Sequence, residues 1–229
     1  MVKKGSLFGL ALVILLTMVV FSAIALALFV KDFYPKKTAG PLADVGSFNA
    51  TSLIVRDIVG NVRVVEGNIS HILVKSNLPV NATLSGATLR IYCPVRGGKN
   101  VCSEYRNGTI VIVVGGPLET VKIEDVVGDA VVSADVKNIW VEDLVGEFWG
   151  DVWTSYTIKN VVGNLVVHAG GDAIVEDVVG NVVVELPAGV GVSLSIEHVL
   201  GKVLNSVGEG NATVSVYLSN IVGEISIER

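Results

Sequence analysis

Apolar and polar residues alternate along most of the chain after residue 49, and the alternation is punctuated by one recurring phrase. The phrase reads apolar, charged, Asp or Asn, two aliphatics, Gly and another polar residue. Val175-Glu176-Asp177-Val178-Val179-Gly180-Asn181 is its cleanest copy, and further copies end at Gly60, Gly128, Gly146 and Gly163. Looser ones end at Gly201 and Gly223. The glycines at 128, 146, 163 and 180 are 18, 17 and 17 residues apart, and the last two intervals stretch to 21 and 22. A fixed period of this size marks stacked units that bury their apolar faces only against their neighbours.

Two apolar columns flank each glycine. Five residues before it stand Val55, Ile123, Val141, Ile158, Val175, Ile196 and Leu218, and two residues after it Val62, Ala130, Phe148, Leu165, Val182, Val203 and Ile225. The columns have opposite parity, so one flat strand cannot point both inward. A corner or bulge must separate them, and Asp57, Asp125, Asp143, Asn160 and Asp177, with Gly60, Gly128, Gly146, Gly163 and Gly180, are the residues that tolerate one. The expected architecture is an all-β, single-domain parallel β-solenoid of about 17–18 residues per regular coil, each coil made of short strands separated by corners. Forty-five valines against three Trp, five Tyr and six Phe suit thin coils filled by small branched side chains. Right-handed winding is the default for parallel crossovers.

Ahead of this domain the pattern changes. Residues 1–6 form a short basic head with Lys3 and Lys4, and Leu7–Val30 is 24 residues without a charge, long enough to cross a bilayer. A retained single-pass anchor is the reading its length favours. A cleaved secretory signal stays open because Ala23-Ile24-Ala25 and Ala25-Leu26-Ala27 offer small-residue sites. A prepilin-like leader at Lys4-Gly5 is also open, although Ser6 and the lack of an early Glu depart from that pattern. Residues 31–48 carry Pro35, Gly40-Pro41 and mixed charge and read as a juxtamembrane linker, leaving 49–229 as the β-domain. Within it, 66–120 loses the phrase, and degenerate coils or an inserted hairpin are expected there.

Composition narrows the setting. From residue 31 onward there are 15 basic and 22 acidic residues, a balance that argues against nucleic acid. Cys93 and Cys102, the only cysteines, bracket a loop and suit a disulfide in an exported protein. Asn-x-Ser/Thr sequons occur at Asn49, Asn68, Asn81, Asn107 and Asn211, where fourteen Asn and 26 Ser/Thr would give about one or two by chance. These features agree on a β-domain outside the cell, with a cytoplasmic head.

Candidate chemistry is sparse. Glu124-Asp125, Glu142-Asp143 and Glu176-Asp177 recur once per coil, so their cause is structural, although stacked like charges would repel. The calcium-binding repeat with Gly-Gly-x-Gly-x-Asp is absent, no metal site or cofactor is expected, and no Walker, Rossmann, Gly-x-Ser-x-Gly or His-Glu-x-x-His phrase occurs. The local anomaly is aromatic: Trp140, Trp149 and Trp153 fall within fourteen residues, with Tyr156 beside them. By parity Phe148 points inward while Trp140 and Trp149 point outward. They form either a contact patch for surface glycans or neighbouring envelope proteins, or side chains covered by the 66–120 segment.

The repeated phrase, as at Asp177–Val184, behind an N-terminal membrane segment resembles the putative-adhesin β-strand-repeat families of bacterial and archaeal envelopes. The resemblance covers about residues 50–229. It implies a β-solenoid and a non-catalytic surface or adhesion module, and no catalytic residues. The alternatives are a subunit of a surface filament or sheath, and third, an enzyme acting on envelope polysaccharide.

Overall fold

The computed structural model describes residues 36–208, 210 and 212–229; residues 1–35, with the apolar segment 7–30, and the sequon at Asn211 lie outside them. The compact unit Thr38–Arg229 is all-β: a 17-stranded mixed sheet rolled until it is nearly closed, barrel-like, around an aliphatic core.

The local geometry of the phrase builds this sheet. In each copy the Asp, Asn or His sits in the left-handed region: φ is 55° at Asp57, 51° at Asp125, 55° at Asp143 and Asn160, 57° at Asp177, 52° at His198 and 54° at Asn220. Asp and Asn tolerate this conformation better than other side chains. One such residue flips the strand's parity, so Val55 and Ile58, three apart, are both buried. The next outward position is also aliphatic: Val127, Val145, Val162, Val179, Val222 and Leu200 form an exposed row in register. The preference of β-branched residues for the pleated surface accounts for the valines of that row.

The glycine then turns the chain between two walls. On one wall the strands before the glycine pair in parallel, with Val55, Ile123, Val141, Ile158, Val175, Leu218 and Ile196 in successive register. On the other, Ile110, Val62, Ala130, Phe148, Leu165, Val182, Ile225 and Val203 align likewise. Both columns face inward, but Ile196 and Val203 stay partly exposed because their unit ends the stack. At the turn the glycines touch. A Cβ on Gly163, where φ is 149°, would stand 1.8 Å from the Gly146 carbonyl oxygen, and one on Gly180 1.9 Å from that of Gly163.

Three features depart from a simple parallel stack. The units do not stack in chain order at the C-terminal end: Ala212–Val222 lies between Leu165–Val179 and Val190–Leu200. The segments joining Val182–Glu185 to Val190–Leu200 and Val203–Asn205 to Ala212–Val222 are the longer ones, in keeping with the stretched intervals. The sheet is mixed, because Ala43–Phe48 pairs antiparallel with Ile72–Ser76, which pairs antiparallel with Thr109–Val114, and Asn81–Ser85 forms a hairpin with Thr88–Tyr92. Residues 66–120 thus contribute a hairpin and an antiparallel cover to the first end of the stack. Finally, the stretch 31–48 is not all linker: Ala43–Phe48 is a strand of the sheet.

Cys93 and Cys102 form a disulfide with Cα atoms 5.9 Å apart, and both are buried. The loop it closes folds back on itself through Val95–Arg96 and Lys99–Asn100. Asn100 joins the loop to the repeat, its Nδ2 donating to the Asp57 carbonyl at 2.6 Å.

Two outcomes follow. Gly163→Ala should lower stability by more than ~2 kcal/mol through backbone strain and overpacking. Gly116→Ala, where a Cβ meets nothing within 4 Å, should leave the melting temperature nearly unchanged. Equal melting of the two variants would remove the close approach as a constraint.

The second outcome concerns charge. Burial, then the carboxylates of Asp57 and Asp143, hold the Asp125 carboxyl above its ordinary value of 3.8. A carboxyl raised in the folded state costs stability when ionised; the penalty is complete above the folded value and vanishes below the unfolded one. Asp125→Asn should therefore melt higher than the parent at pH 7, and the two should converge as pH falls below 3.8. Identical melting at pH 7 would argue against repulsion along the column.

Candidate functional site

The stack is interrupted where the strand Phe148–Val162 runs from one wall to the other, with register shifts between Gly150 and Thr154 and between Thr154 and Tyr156. The bulge is held from inside. Tyr156 is 1 % exposed, stands edge-on to Phe148 at 6.3 Å, and has its hydroxyl 2.6 Å from Val152 O and 2.9 Å from Gly150 O. Burial pushes the phenol pKa up, so the hydroxyl keeps the proton it shares between those carbonyls. Gly150 makes room for the ring, since a Cβ there would meet Tyr156 Cε1 at 2.4 Å. Thr154 Oγ1 ties the bulge to the preceding unit by donating to Lys137 O at 2.6 Å.

Outside, the bulge presents Asp151 and Trp153 to the next strand. The Trp153 indole stacks on His168, with ring centroids 4.9 Å apart and planes 26° apart. His168 Nδ1 lies 3.3 Å from Asp151 Oδ1, and Nε2 lies 3.0 Å from Glu185 Oε2. The imidazole thus has a carboxylate at each edge and the indole on one face. Trp149 stands in register with Val166, and Val166 with Val183. Trp149, Asp151, Val166, His168, Val183 and Glu185 line an open cleft of about 370 Å³. Trp149 and Trp153 are each 51 % exposed.

Of the sequence-derived aromatic candidates, Trp149 lines the cleft and Trp153 stacks on His168, one of its lining residues, and both are half exposed. Trp140, 38 % exposed, belongs to the other wall: Lys122 Nζ lies 5.2 Å from its ring centre, and its Nε1 donates to Glu142 at 3.3 Å. Tyr156 touches no surface and instead shapes the bulge. His168, Asp151 and Glu185 were not singled out from sequence. A signal was present: His168 and Glu185 occupy equivalent positions one repeat apart, three residues after Leu165 and Val182.

The recurring carboxylates are engaged locally. Glu124 pairs with Lys122, and Glu176 with Lys159 at 2.5 Å. Among the described residues, no group of three or more His, Cys, Asp and Glu side chains is placed to hold a metal ion. Nor does the cleft offer an activated nucleophile, because each nitrogen of His168 faces a carboxylate rather than a hydroxyl or thiol. The sequon residues Asn49, Asn68, Asn81 and Asn107 are exposed.

No protein-family model matches the chain, and no curated protein matches it. Among solved structures, it is similar to a putative cell adhesion protein from Clostridium sporogenes, with 15% identity over 82% of this chain and 97% of that one and a TM-score of 0.48. It is also similar to a putative adhesin from Bacteroides fragilis, with 11% identity over 83% and 99% of the two chains and a TM-score of 0.36. A putative lipid binding protein from Parabacteroides distasonis matches with 11% identity over 80% and 96% of the chains, at a TM-score of 0.27.

Tyr156→Phe tests how the site is held. Loss of the hydroxyl leaves Gly150 O and Val152 O without that donor and should cost ~1–2 kcal/mol of stability. The Trp153–His168 stack should loosen with it, seen as a red-shifted tryptophan emission. An unchanged melting temperature and spectrum would mean that the bulge is held by other contacts.

Proposed function

We propose that the chain is a membrane-anchored, extracytoplasmic surface or adhesion module without catalysis, its β-domain a short β-solenoid modified at both ends. The observation that carries this reading is the display of large indoles on the outside of a rigid, valine-filled stack that has no packing use for them there. Exposed aromatics cost solubility unless a partner covers them. The uncharged segment 7–30 supports an anchor. Among the described residues no helix is long and apolar enough to cross a membrane, and 7–30 lies outside them. The disulfide and the four exposed sequon asparagines support an oxidising, extracytoplasmic setting. Partners of this module are surface glycans or neighbouring envelope proteins, not nucleic acid. The enzyme reading loses ground because both carboxylates of the cleft are turned to His168 rather than standing free as an acid and base pair.

A filament subunit is favoured by one feature and opposed by another. Among the described residues Val190–Leu200 and Val203–Asn205 pair on one side only, with Leu200 73 % exposed. At the opposite end antiparallel pairing interrupts the parallel ladder before the outermost strands, Ala43–Phe48 and Asn81–Ser85, so the two ends present unlike edges for head-to-tail growth.

In intact cells, an impermeant maleimide should label Ser47→Cys, an exposed position, and leave Ser6→Cys unlabelled. Cells carrying the chain should attach to a glycan-coated or cell-coated surface better than cells lacking it. Labelling in the reverse pattern would overturn the extracytoplasmic reading, and equal attachment would overturn adhesion.

A further inference from the structure

We infer that the cleft beside His168 is a binding site for an uncharged saccharide, presented by a polysaccharide or glycan chain; this rests on the adhesion reading and names the ligand class it serves. The first argument is surface. Trp149 extends a row continued by Val166 and Val183, so an indole face and two aliphatic side chains make a flat apolar strip on the sheet. Such a strip matches the C–H face of a pyranose ring, which stacks on an aromatic plane with its hydroxyls directed to the sides. The strip lacks the depth that a buried hydrophobic ligand requires.

The second argument is polarity at the rim. Asp151 Oδ1 and Glu185 Oε2 face His168, which leaves the second oxygen of each carboxylate for ligand hydroxyls. Carboxylates accept strong hydrogen bonds from hydroxyl groups. No Lys or Arg lines the cleft. A uronate, a sialic acid or a phosphate would meet two carboxylates with only the His168 imidazole between them, so the site favours neutral sugars.

The third argument is rigidity. His168 lies between the two carboxylates and is stacked on Trp153, and the bulge bearing Asp151 and Trp153 is pinned by the buried Tyr156 hydroxyl. A pre-set arrangement of this kind spends little binding free energy on ordering side chains. The volume, about 370 Å³, lies at the lower end of ligand clefts and suits a sugar unit rather than a protein domain.

The experiment uses the full chain in nanodiscs, titrated with neutral polymers (a β-glucan, a mannan and a galactan), with polygalacturonate and with an unrelated peptide mixture, and read by tryptophan emission. At least one neutral polymer should bind saturably, and polygalacturonate at least about tenfold more weakly, from repulsion by the two carboxylates. Trp149→Ala should weaken binding about tenfold or more, consistent with a lost aromatic contact, and Trp153→Ala, which acts through the His168 it stacks on, severalfold. Asp151→Asn, nearly isosteric, should weaken it severalfold with the melting temperature unchanged, and serves if the tryptophan variants do not fold. Absence of binding to every neutral polymer, a preference for uronate or peptide, or full binding by the Trp149 and Asp151 variants would each overturn the site. If cells attach through the chain, yet attachment survives Trp149→Ala and resists competition by the free sugars, the site falls and adhesion stands. If the purified chain binds sugar through Trp149 but attachment does not depend on the chain, adhesion falls and the site stands.

Discussion

The contact on which the stack depends is glycine against carbonyl at the turn between the two walls. From Gly60 through Gly128, Gly146, Gly163, Gly180 and Gly223 to Gly201, each glycine stands where a Cβ would collide with backbone of a neighbouring unit. This lets the turns approach to the spacing of hydrogen-bonded strands, roughly 4.8 Å, and both walls inherit that spacing. With the turns so close, the backbone groups beside them pair from unit to unit, as when Gly163 N donates to Val179 O at 2.9 Å. Side chains extend the ladder on the solvent side: Asn61 Oδ1 accepts from Asp129 N, Asp129 Oδ1 from Glu147 N, and Asn181 Oδ1 from Glu224 N. Valine fills the interior because units this closely spaced leave little volume for each inward side chain. Where the larger ring of Tyr156 enters, the strand bulges, whereas Phe148 is taken up in register opposite Ala130.

That link between interior volume and surface display explains why the candidate site lies where it does. A regular unit presents to solvent only what strand alternation allows. At Gly150–Thr154 the inward Tyr156 needs the space of a missing Cβ and the carbonyls of two residues, and the chain accommodates it by shifting register. The displaced segment carries Trp153 over His168 and brings Asp151 to the same imidazole. A buried phenol thus organises a surface cluster that has no counterpart elsewhere among the repeats.

Much of this was legible in the residues. The period, the two inward columns and the need for a parity change at the Asp/Asn position all follow from alternation. So did the pairing of Cys93 with Cys102, from even count and spacing. The outward direction of Trp149 could be read because it lies one residue from the inward Phe148. Other features left no local trace. Strand Ala43–Phe48 has no clean alternation, because Gly46 supplies no side chain and one face of the strand is solvent-exposed. The exchange of the last two units is not written in either phrase, since Leu218 and Ile196 fit the same column; only the longer spacers hint at it. The gathering around His168 depended on a register shift, which displaces residues relative to their neighbours in a way that counting along the chain does not capture. Proximity groups Tyr156 with the tryptophans, although its parity matches the inward Ile158.

The exchanged units also bear on how the chain can be made. A ribosome delivers the N-terminal residues first, and every unit up to Glu185 can settle on one already present. Val190–Leu200 cannot, because its partner Ala212–Val222 is synthesised after it and must enter between it and Leu165–Val179. The final residue takes part in the closure, with an Arg229 guanidinium nitrogen donating to Val190 O at 3.0 Å and to Gly208 O at 3.2 Å. Residues 190–205 therefore lack their strand neighbour until 212–228 has followed. A chain cut short near residue 205 would lack the strand that separates its last two units and would expose the edges it was meant to join. In that sense the order of stacking sets an order of assembly: the unit at 190–205 is joined to the rest only once 212–228 has been made.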